Sequence, residues 1–194
     1  MINDFDGTRE SFTRIARTQL HEGNAYSALM LVGFIGGCSN PIMRTKCLAE
    51  AGGWDEDMPA RQDWDTWLRI SRKYDISYVA EPLTQYHMYK GEHIADNPVT
   101  QRIGLEKIRI KNMDYLRENK YAYWNLLTMI AKEYARSQEY GNSLKTGLKA
   151  ISLQPLQIKA NMITLLRPLL LMISPKLFEC LKGIKRKLKG EKMN

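Results

Sequence analysis

The sequence has few of the residues that mark disulfide-bonded, fibrous or membrane-spanning proteins. Its 194 residues include three cysteines, Cys38, Cys47 and Cys180, too few and too widely spaced for a disulfide framework or a zinc site. Only 13 glycines and 7 prolines exclude a collagen-like chain. The longest apolar stretch, residues 163–173, is interrupted and too short to span a bilayer. The N-terminal residues lack the pattern of a secretory signal, so we expect a reducing, cytoplasmic compartment.

Charge divides the chain into two parts. Residues 1–97 contain 10 basic and 14 acidic residues, whereas residues 98–194 contain 19 basic and 7 acidic residues, a net charge of +12. The change in charge at Asn97 and Pro98 coincides with a change in hydrophobic pattern. The sequence therefore predicts two domains, 1–97 and 98–194, with different partners.

The hydrophobic patterns predict an α/β first domain and an all-helical second domain. In the first, helices are expected over 11–20, 26–31, 45–51 and 62–73, and strands over 41–43, 76–80 and 83–88. In the second, helices are expected over 101–119, 123–136, 140–153, 156–172 and 175–189. Residues 131–155 have the rhythm of one tetratricopeptide-type helical hairpin, although a single unit of such a repeat needs neighbours to bury its faces.

Four short motifs follow one another in the first domain. They read GGCS at 36–39, GGWDE at 52–56, QDWDTWLR at 62–69 and EPL at 81–83. Their order over residues 23–97 resembles the C-terminal, acceptor-side half of the catalytic domain in bacterial inverting nucleotide-sugar glycosyltransferases of the GT-A fold. That group is glycosyltransferase family 2, of the polysaccharide-biosynthesis type. The resemblance implies a partial GT-A domain that transfers a sugar, with inversion, to a glycan or lipid-linked acceptor.

Asp63 matches the carboxylate that acts as general base in this family. Such a group takes the proton of the acceptor hydroxyl as its oxygen attacks the anomeric carbon. Asp63 is expected in the first turn of a helix, where the helix dipole favours the ionised carboxylate. The alternative is that Asp63 only caps the helix.

The resemblance also implies a set of residues that border the sugar site, namely Gly37, Cys38, Ser39, Trp54, Gln62 and Trp64. A structural alternative exists for these positions. The glycine segment can be a simple turn or bulge, Trp54 can anchor its own loop, and Trp64 can belong to the core together with Trp67. Asp65 and Arg69 are four residues apart, and an ion pair explains both.

The family binds Mg²⁺ or Mn²⁺, and His87 is the candidate metal ligand here, with His93 behind it. The alternative is that both histidines are ordinary surface residues. The nucleotide-binding half of the family domain is missing from the sequence, and Asp4-Phe5-Asp6 follows no apolar strand. We therefore expect this chain alone to bind no metal and to transfer sugar poorly.

The basic C-terminal part suggests a membrane partner. Apolar residues crowd one side of residues 161–189, and residues 182–189 add five positive charges. This pattern is typical of peripheral contact with the inner face of a cell membrane, or of a helix docked on the preceding hairpin. No nucleic-acid partner is predicted, because no recognition motif is present. The alternative function is a non-catalytic binding or membrane-docking module that complements a separate nucleotide-binding half.

Overall fold

The computed structural model describes residues 22–81, 83 and 94–173. The chain divides into two compact units, Met1–Asn97 and Pro98–Asn194. Each unit is described below by itself. The helix expected over 11–20, the helix expected over 175–189 and nearly all of the strand expected over 83–88 lie outside the described residues.

The first unit is organised around one amphipathic helix. Its helices are α1, Tyr26–Leu31; α2, Thr45–Glu50; and α3, Gln62–Ser71; a short 3₁₀ helix follows at Ile94–Asp96. Helix α3 buries Trp64, Trp67 and Leu68, and α1 packs on it through Leu29 and Met30. These apolar side chains recur at helical spacing, which explains why α3 forms and which face it buries. The positions of α1, α2 and α3 agree with the helices predicted from the sequence.

The prediction of an α/β domain is wrong. Helices contain 65% of the described residues, and residues 22–81, 83 and 94–173 form no strand or sheet. Within the described part of the first unit, the extended backbone near Ile76 pairs with Gly23, through two hydrogen bonds of 2.8 and 2.9 Å, and with no other segment. Ile42, in the strand expected over 41–43, is fully exposed, and Val79 is 65% exposed. An extended segment without a paired neighbour leaves its backbone groups to solvent, so the alternating pattern alone does not make a strand.

The second unit is helical throughout its described residues. Its helices are α4, Pro98–Lys111; α5, Met113–Glu118; α6, Lys120–Arg136; α7, Tyr140–Leu153; and α8, Ile158–Ile173. Helix α6 packs against α4, α7 and α8 and supplies most of the core, including Leu126, Leu127 and Ile130. The one helix predicted over 101–119 is divided at Asn112, whose side-chain amide donates to the Ile108 carbonyl at 2.7 Å. A side chain that bonds its own backbone in this way competes with the helix.

Helices α6 and α7 form the predicted helical hairpin. Small residues allow their close approach, and the Ser143 hydroxyl donates to the Ala131 carbonyl across the interface at 2.7 Å. Gly147 faces α8, where a Cβ atom would lie 3.2 Å from the Thr164 methyl group. The tetratricopeptide-type geometry of this hairpin stays a prediction.

Candidate functional site

The first turn of α3 carries the candidate base. Arg61 precedes the helix with a left-handed backbone (φ 61°), and its side chain makes no capping hydrogen bond. Asp63 lies two residues later, half-buried, and its Oδ1 accepts a hydrogen bond of 2.7 Å from the Trp64 backbone N–H. Asp63 is therefore in the predicted first helical turn, where its charge favours the helix.

The two tryptophans of α3 hold the preceding segment by their indole N–H groups. Trp64 donates to the Leu29 carbonyl at 2.7 Å and is 5% exposed. Trp67 donates to the Gly36 carbonyl at 3.0 Å and is 3% exposed. Both rings lie in the core, so the structure supports the structural alternative for Trp64, whose ring has little surface left for a sugar. Gly33 lies against the Trp64 ring, where a Cβ atom would approach it to 3.2 Å.

The glycine segment forms an exposed turn. Gly36 has a φ of 81°, and the Asn40 side-chain amide closes the turn by donating to the Ile35 carbonyl at 2.9 Å. A Cβ atom at Gly36 would meet that amide nitrogen at 2.5 Å, so the turn requires glycine at this position. The three predicted site residues that follow, Gly37, Cys38 and Ser39, are exposed at its tip.

Cys38 and Asp63 lie within electrostatic reach of each other. Loss of hydration raises the pKa of the Cys38 thiol, and the negative charge of Asp63 raises it further. The two residues are 25 positions apart in the sequence, so the fold brings the glycine turn to the first turn of α3. Since the raised pKa keeps the thiol protonated at neutral pH, Cys38 offers no thiolate nucleophile.

Trp54 adds a partly exposed aromatic surface next to Trp67, whose indole binds the glycine turn. Its ring meets Trp67 edge to face, with the centroids 5.7 Å apart and the planes at 77°, and the residue remains 40% exposed. Its loop is held to α3 by Arg69, whose guanidinium donates to the Ala51 carbonyl. Trp54 thus anchors its loop and also presents a ring to solvent. We call the set Gly36, Cys38, Trp54, Asp63 and Trp67 the Asp63 cluster.

The ion pair predicted within α3 is confirmed. Arg69 Nε donates to Asp65 Oδ2 at 2.9 Å, and Arg69 Nη2 donates to the Thr66 hydroxyl at 3.0 Å. Asp65 is buried, so this pair keeps a charged carboxylate neutralised inside the unit. Asp65 is accordingly a structural residue.

Two further residues, Gln62 and His87, were predicted to belong to the site. Gln62 is half-buried, and its backbone carbonyl accepts a hydrogen bond from Thr66. His87 lies outside the described residues. Sequence reasoning missed Arg61, whose guanidinium lies 5.4 Å from the centroid of the Trp64 ring. No local pattern indicates this contact, because it depends on a left-handed backbone at a residue other than glycine.

The resemblance implies a divalent metal, and its candidate ligand His87 lies outside the described residues. In the part of the chain that the structure describes, no three histidine, cysteine or acidic side chains come together to hold a metal ion. Proteins commonly hold Mg²⁺ through one or two carboxylates together with substrate phosphates, and Asp63 is the single carboxylate of the Asp63 cluster.

Two open grooves of about 480 and 490 Å³ occur in the second unit. Residues at the start of α8 line the first groove, and the second groove lies between the α6–α7 turn and Met172. Neither is lined by a residue of the Asp63 cluster. Among the described helices, none has both the length and the apolar composition needed to cross a bilayer.

Comparison with known proteins identifies no relative of this chain. No family model, curated protein or solved structure matches this chain. The resemblance to glycosyltransferases therefore rests on the four sequence motifs alone.

Proposed function

We propose that the first unit forms the acceptor side of an inverting sugar transfer, from a nucleotide-sugar donor to a glycan or lipid-linked acceptor. The observation that carries the proposal is the convergence of three separated motifs on one face of α3, along which Asp63 and Trp67 lie four residues apart. Cys38 comes from the glycine motif, Trp54 from the GGWDE motif and Asp63 from the QDW motif. The overturned α/β fold is no part of this proposal.

Asp63 is the proposed general base. The acceptor hydroxyl oxygen forms a bond to the anomeric carbon while the bond from that carbon to the phosphate oxygen of the nucleotide breaks. The hydroxyl proton passes to the Asp63 carboxylate, and the nucleoside diphosphate leaves with the bonding electron pair. A correctly positioned base of this kind accelerates transfer by about 10²–10⁴-fold.

Trp54 is the proposed contact for the acceptor sugar. Its ring keeps 40% of its surface exposed while its orientation is fixed by the edge-to-face contact with Trp67. A rigid aromatic ring can pack against the apolar C–H face of a pyranose. The hydrogen bond from Trp67 to the Gly36 carbonyl supports this orientation from below.

The same proposal includes the location of the reaction. Nucleotide-sugar donors and a lipid-linked acceptor would meet at the inner face of the cell membrane, on the cytoplasmic side. The free thiols of Cys38 and Cys47 support a reducing compartment. The nucleotide-binding part is supplied, in this proposal, by a separate polypeptide or segment.

The first experiment measures carbohydrate binding. Saturation-transfer NMR with a panel of methyl glycosides and bacterial oligosaccharides should detect a ligand of the wild-type chain. Trp54→Ala should weaken its binding by about tenfold, because one aromatic contact contributes about 1.4 kcal/mol. Asp63→Asn should bind as the wild type does. If no sugar of the panel binds, or Trp54→Ala binds equally well, the proposed sugar contact is wrong.

The second experiment measures transfer. The chain is mixed with the nucleotide-binding half of a bacterial family 2 enzyme, and release of nucleoside diphosphate is followed with the sugar identified above. Asp63→Asn should lower turnover by at least about 100-fold. The matched control, Asp75→Asn, changes an exposed aspartate of the same unit and should leave turnover unaltered. Equal turnover of Asp63→Asn and wild type would remove Asp63 from the chemistry.

A non-catalytic carbohydrate-binding module is the second candidate. The helical first unit favours it, because the described residues include no sheet of the kind on which the family assembles its nucleotide site. Binding that depends on Trp54, combined with no transfer by the reconstituted wild type, would favour this candidate over the enzyme.

A further inference from the structure

Among the described residues of its unit, helix α8 is contacted on one face. Asn161 and Pro168 are buried, and the Asn161 side chain accepts a hydrogen bond of 2.9 Å from the Trp124 indole. Thr164 lies on the same side, next to Gly147 of α7. These residues fix which side of α8 faces the hairpin and therefore which side faces away.

The side of α8 turned away from Pro168 carries a run of exposed apolar residues. Six of them, most three or four residues apart, are each between 40% and 78% exposed, and they are Ile158, Met162, Leu166, Leu169, Met172 and Ile173. Met172, at the edge of this run, also lines the groove beside the α6–α7 turn. We call these six residues the α8 stripe. A helix with one such face exposed to water over its whole length marks an interaction surface.

The two helices that carry and flank the α8 stripe are positively charged in sequence. Glu139, which precedes α7 and lines the groove beside Met172, is paired with Arg102 at 3.4 Å. From Tyr140 to Ile173, through α7 and α8, the chain contains four basic residues and no acidic residue. Lys159 lies within α8 beside the stripe, and Lys145 and Lys149 are exposed on α7. The sequence after Ile173 contains seven more basic residues and two acidic ones.

We propose that the α8 stripe docks the chain on an anionic lipid surface. The helix would lie in the plane of the membrane, with the six apolar side chains among the acyl chains and the lysines at the phosphate headgroups. Lysine side chains suit this position because their stems lie along apolar surface while the ammonium group stays at the headgroups. This inference rests on the second unit alone and is independent of the proposed sugar transfer.

Charge selects this partner over the two other occupants of an apolar stripe. A second copy of the chain would bring together two units that each carry a net charge of +12. Residues 174–194 are themselves strongly basic and would also add like charge. An anionic leaflet supplies both the apolar interior and the opposite charge, and each basic residue close to its surface adds to the attraction.

Vesicle flotation of the full chain tests the proposal. We expect binding to vesicles that contain phosphatidylglycerol, weaker binding in high salt, and little binding to neutral phosphatidylcholine vesicles. The double variant Met162→Gln/Leu166→Gln should lower the partition coefficient by at least about tenfold, because two apolar side chains no longer enter the acyl region.

The matched control changes two exposed apolar residues of α4, Val99→Gln/Ile110→Gln. This variant should bind vesicles as the wild type does. Circular dichroism should show the same helical content and melting temperature for all three proteins, since the altered side chains are exposed.

Three results would overturn the proposal. The first is equal binding to neutral and anionic vesicles, or binding to neither. The second is a stripe variant that binds as the control does. The third is a stripe variant that keeps its vesicle binding but loses another contact. If this variant melts well below the control, residues 174–194 cover the stripe. If the wild type is a dimer and the variant is a monomer, a second copy of the chain covers the stripe.

Discussion

Asn161 is expected to determine much of the stability of the second unit, and Asn161→Leu tests this. The residue is 5% exposed. Its Oδ1 accepts from the Trp124 indole at 2.9 Å, and its Nδ2 donates to the Gln154 carbonyl at 2.8 Å. One side chain therefore connects the start of α8 to the N-terminal part of α6 and to the residue that follows α7.

The expected loss of stability follows from the hydrogen bonds that each partner of Asn161 retains in the variant. Leucine has the same number and branching of side-chain non-hydrogen atoms as asparagine but bonds neither partner. The Gln154 carbonyl still accepts from the Gln157 N–H at 3.2 Å, whereas the buried Trp124 indole N–H loses its acceptor. An unsatisfied buried donor costs about 1–3 kcal/mol and an ordinary hydrogen bond contributes about 1 kcal/mol, so the free energy of unfolding should fall by about 2–3 kcal/mol.

Urea denaturation followed by far-ultraviolet circular dichroism measures this loss by linear extrapolation. The control is Asn142→Leu, which alters an exposed asparagine of α7 whose amide donates to Glu139 at 3.1 Å. It should change stability by less than about 0.5 kcal/mol. In the double variant with Trp124→Phe, the two losses should be clearly less than additive. A loss for Asn161→Leu as small as that of the control would refute the reasoning.

Three further changes test other contacts. Arg69→Met removes the cation beside the buried Asp65 carboxylate and should lower the free energy of unfolding by about 3 kcal/mol in urea titrations, with recovery when Asp65→Asn is added. The hydrogen bond to Glu50 raises the pKa of Tyr74 from 10.0 to about 12. This hydrogen bond therefore stabilises the folded first unit below about pH 10, and the stabilisation is lost as the pH rises to about 12. In ¹³C NMR titrations, Glu50→Gln should lower the pKa of Tyr74, and an unchanged pKa would exclude the contact. Gly147→Val places a branched side chain against α8 and should lower the free energy of unfolding by about 1–3 kcal/mol, whereas an unchanged melting curve would show space at that interface.

The helices were predictable from the sequence because their signals are local. The helix predicted over 140–153 agrees with α7, Tyr140–Leu153, and the helix predicted over 26–31 agrees with α1. The strand expected over 76–80 was not found, because a strand depends on a neighbour that local alternation does not reveal. Ile76 pairs with Gly23, and residues 77–80 form no further bridge with any residue that the structure describes.

The candidate site shows the same division between local and distant contacts. The Asp65–Arg69 pair was predictable, since it joins residues four apart on one helix. Whether Trp64 contacts a sugar or the core was not, because its hydrogen-bond acceptor on Leu29 lies 35 residues earlier. The roles assigned to Asp63 and Trp54 remain predictions that the experiments above decide.

The two indole groups of α3 have a consequence for how the first unit tolerates change. Trp64 and Trp67 donate to main-chain carbonyls at Leu29 and Gly36, and every amino acid supplies such an acceptor. A substitution at Leu29 alters packing but keeps the backbone carbonyl that accepts from Trp64. Replacing either tryptophan removes the indole donor, and no substitution at Leu29 or Gly36 restores that hydrogen bond. In a deep mutational scan, the two tryptophans should be far more restricted than Leu29, whose apolar alternatives should survive.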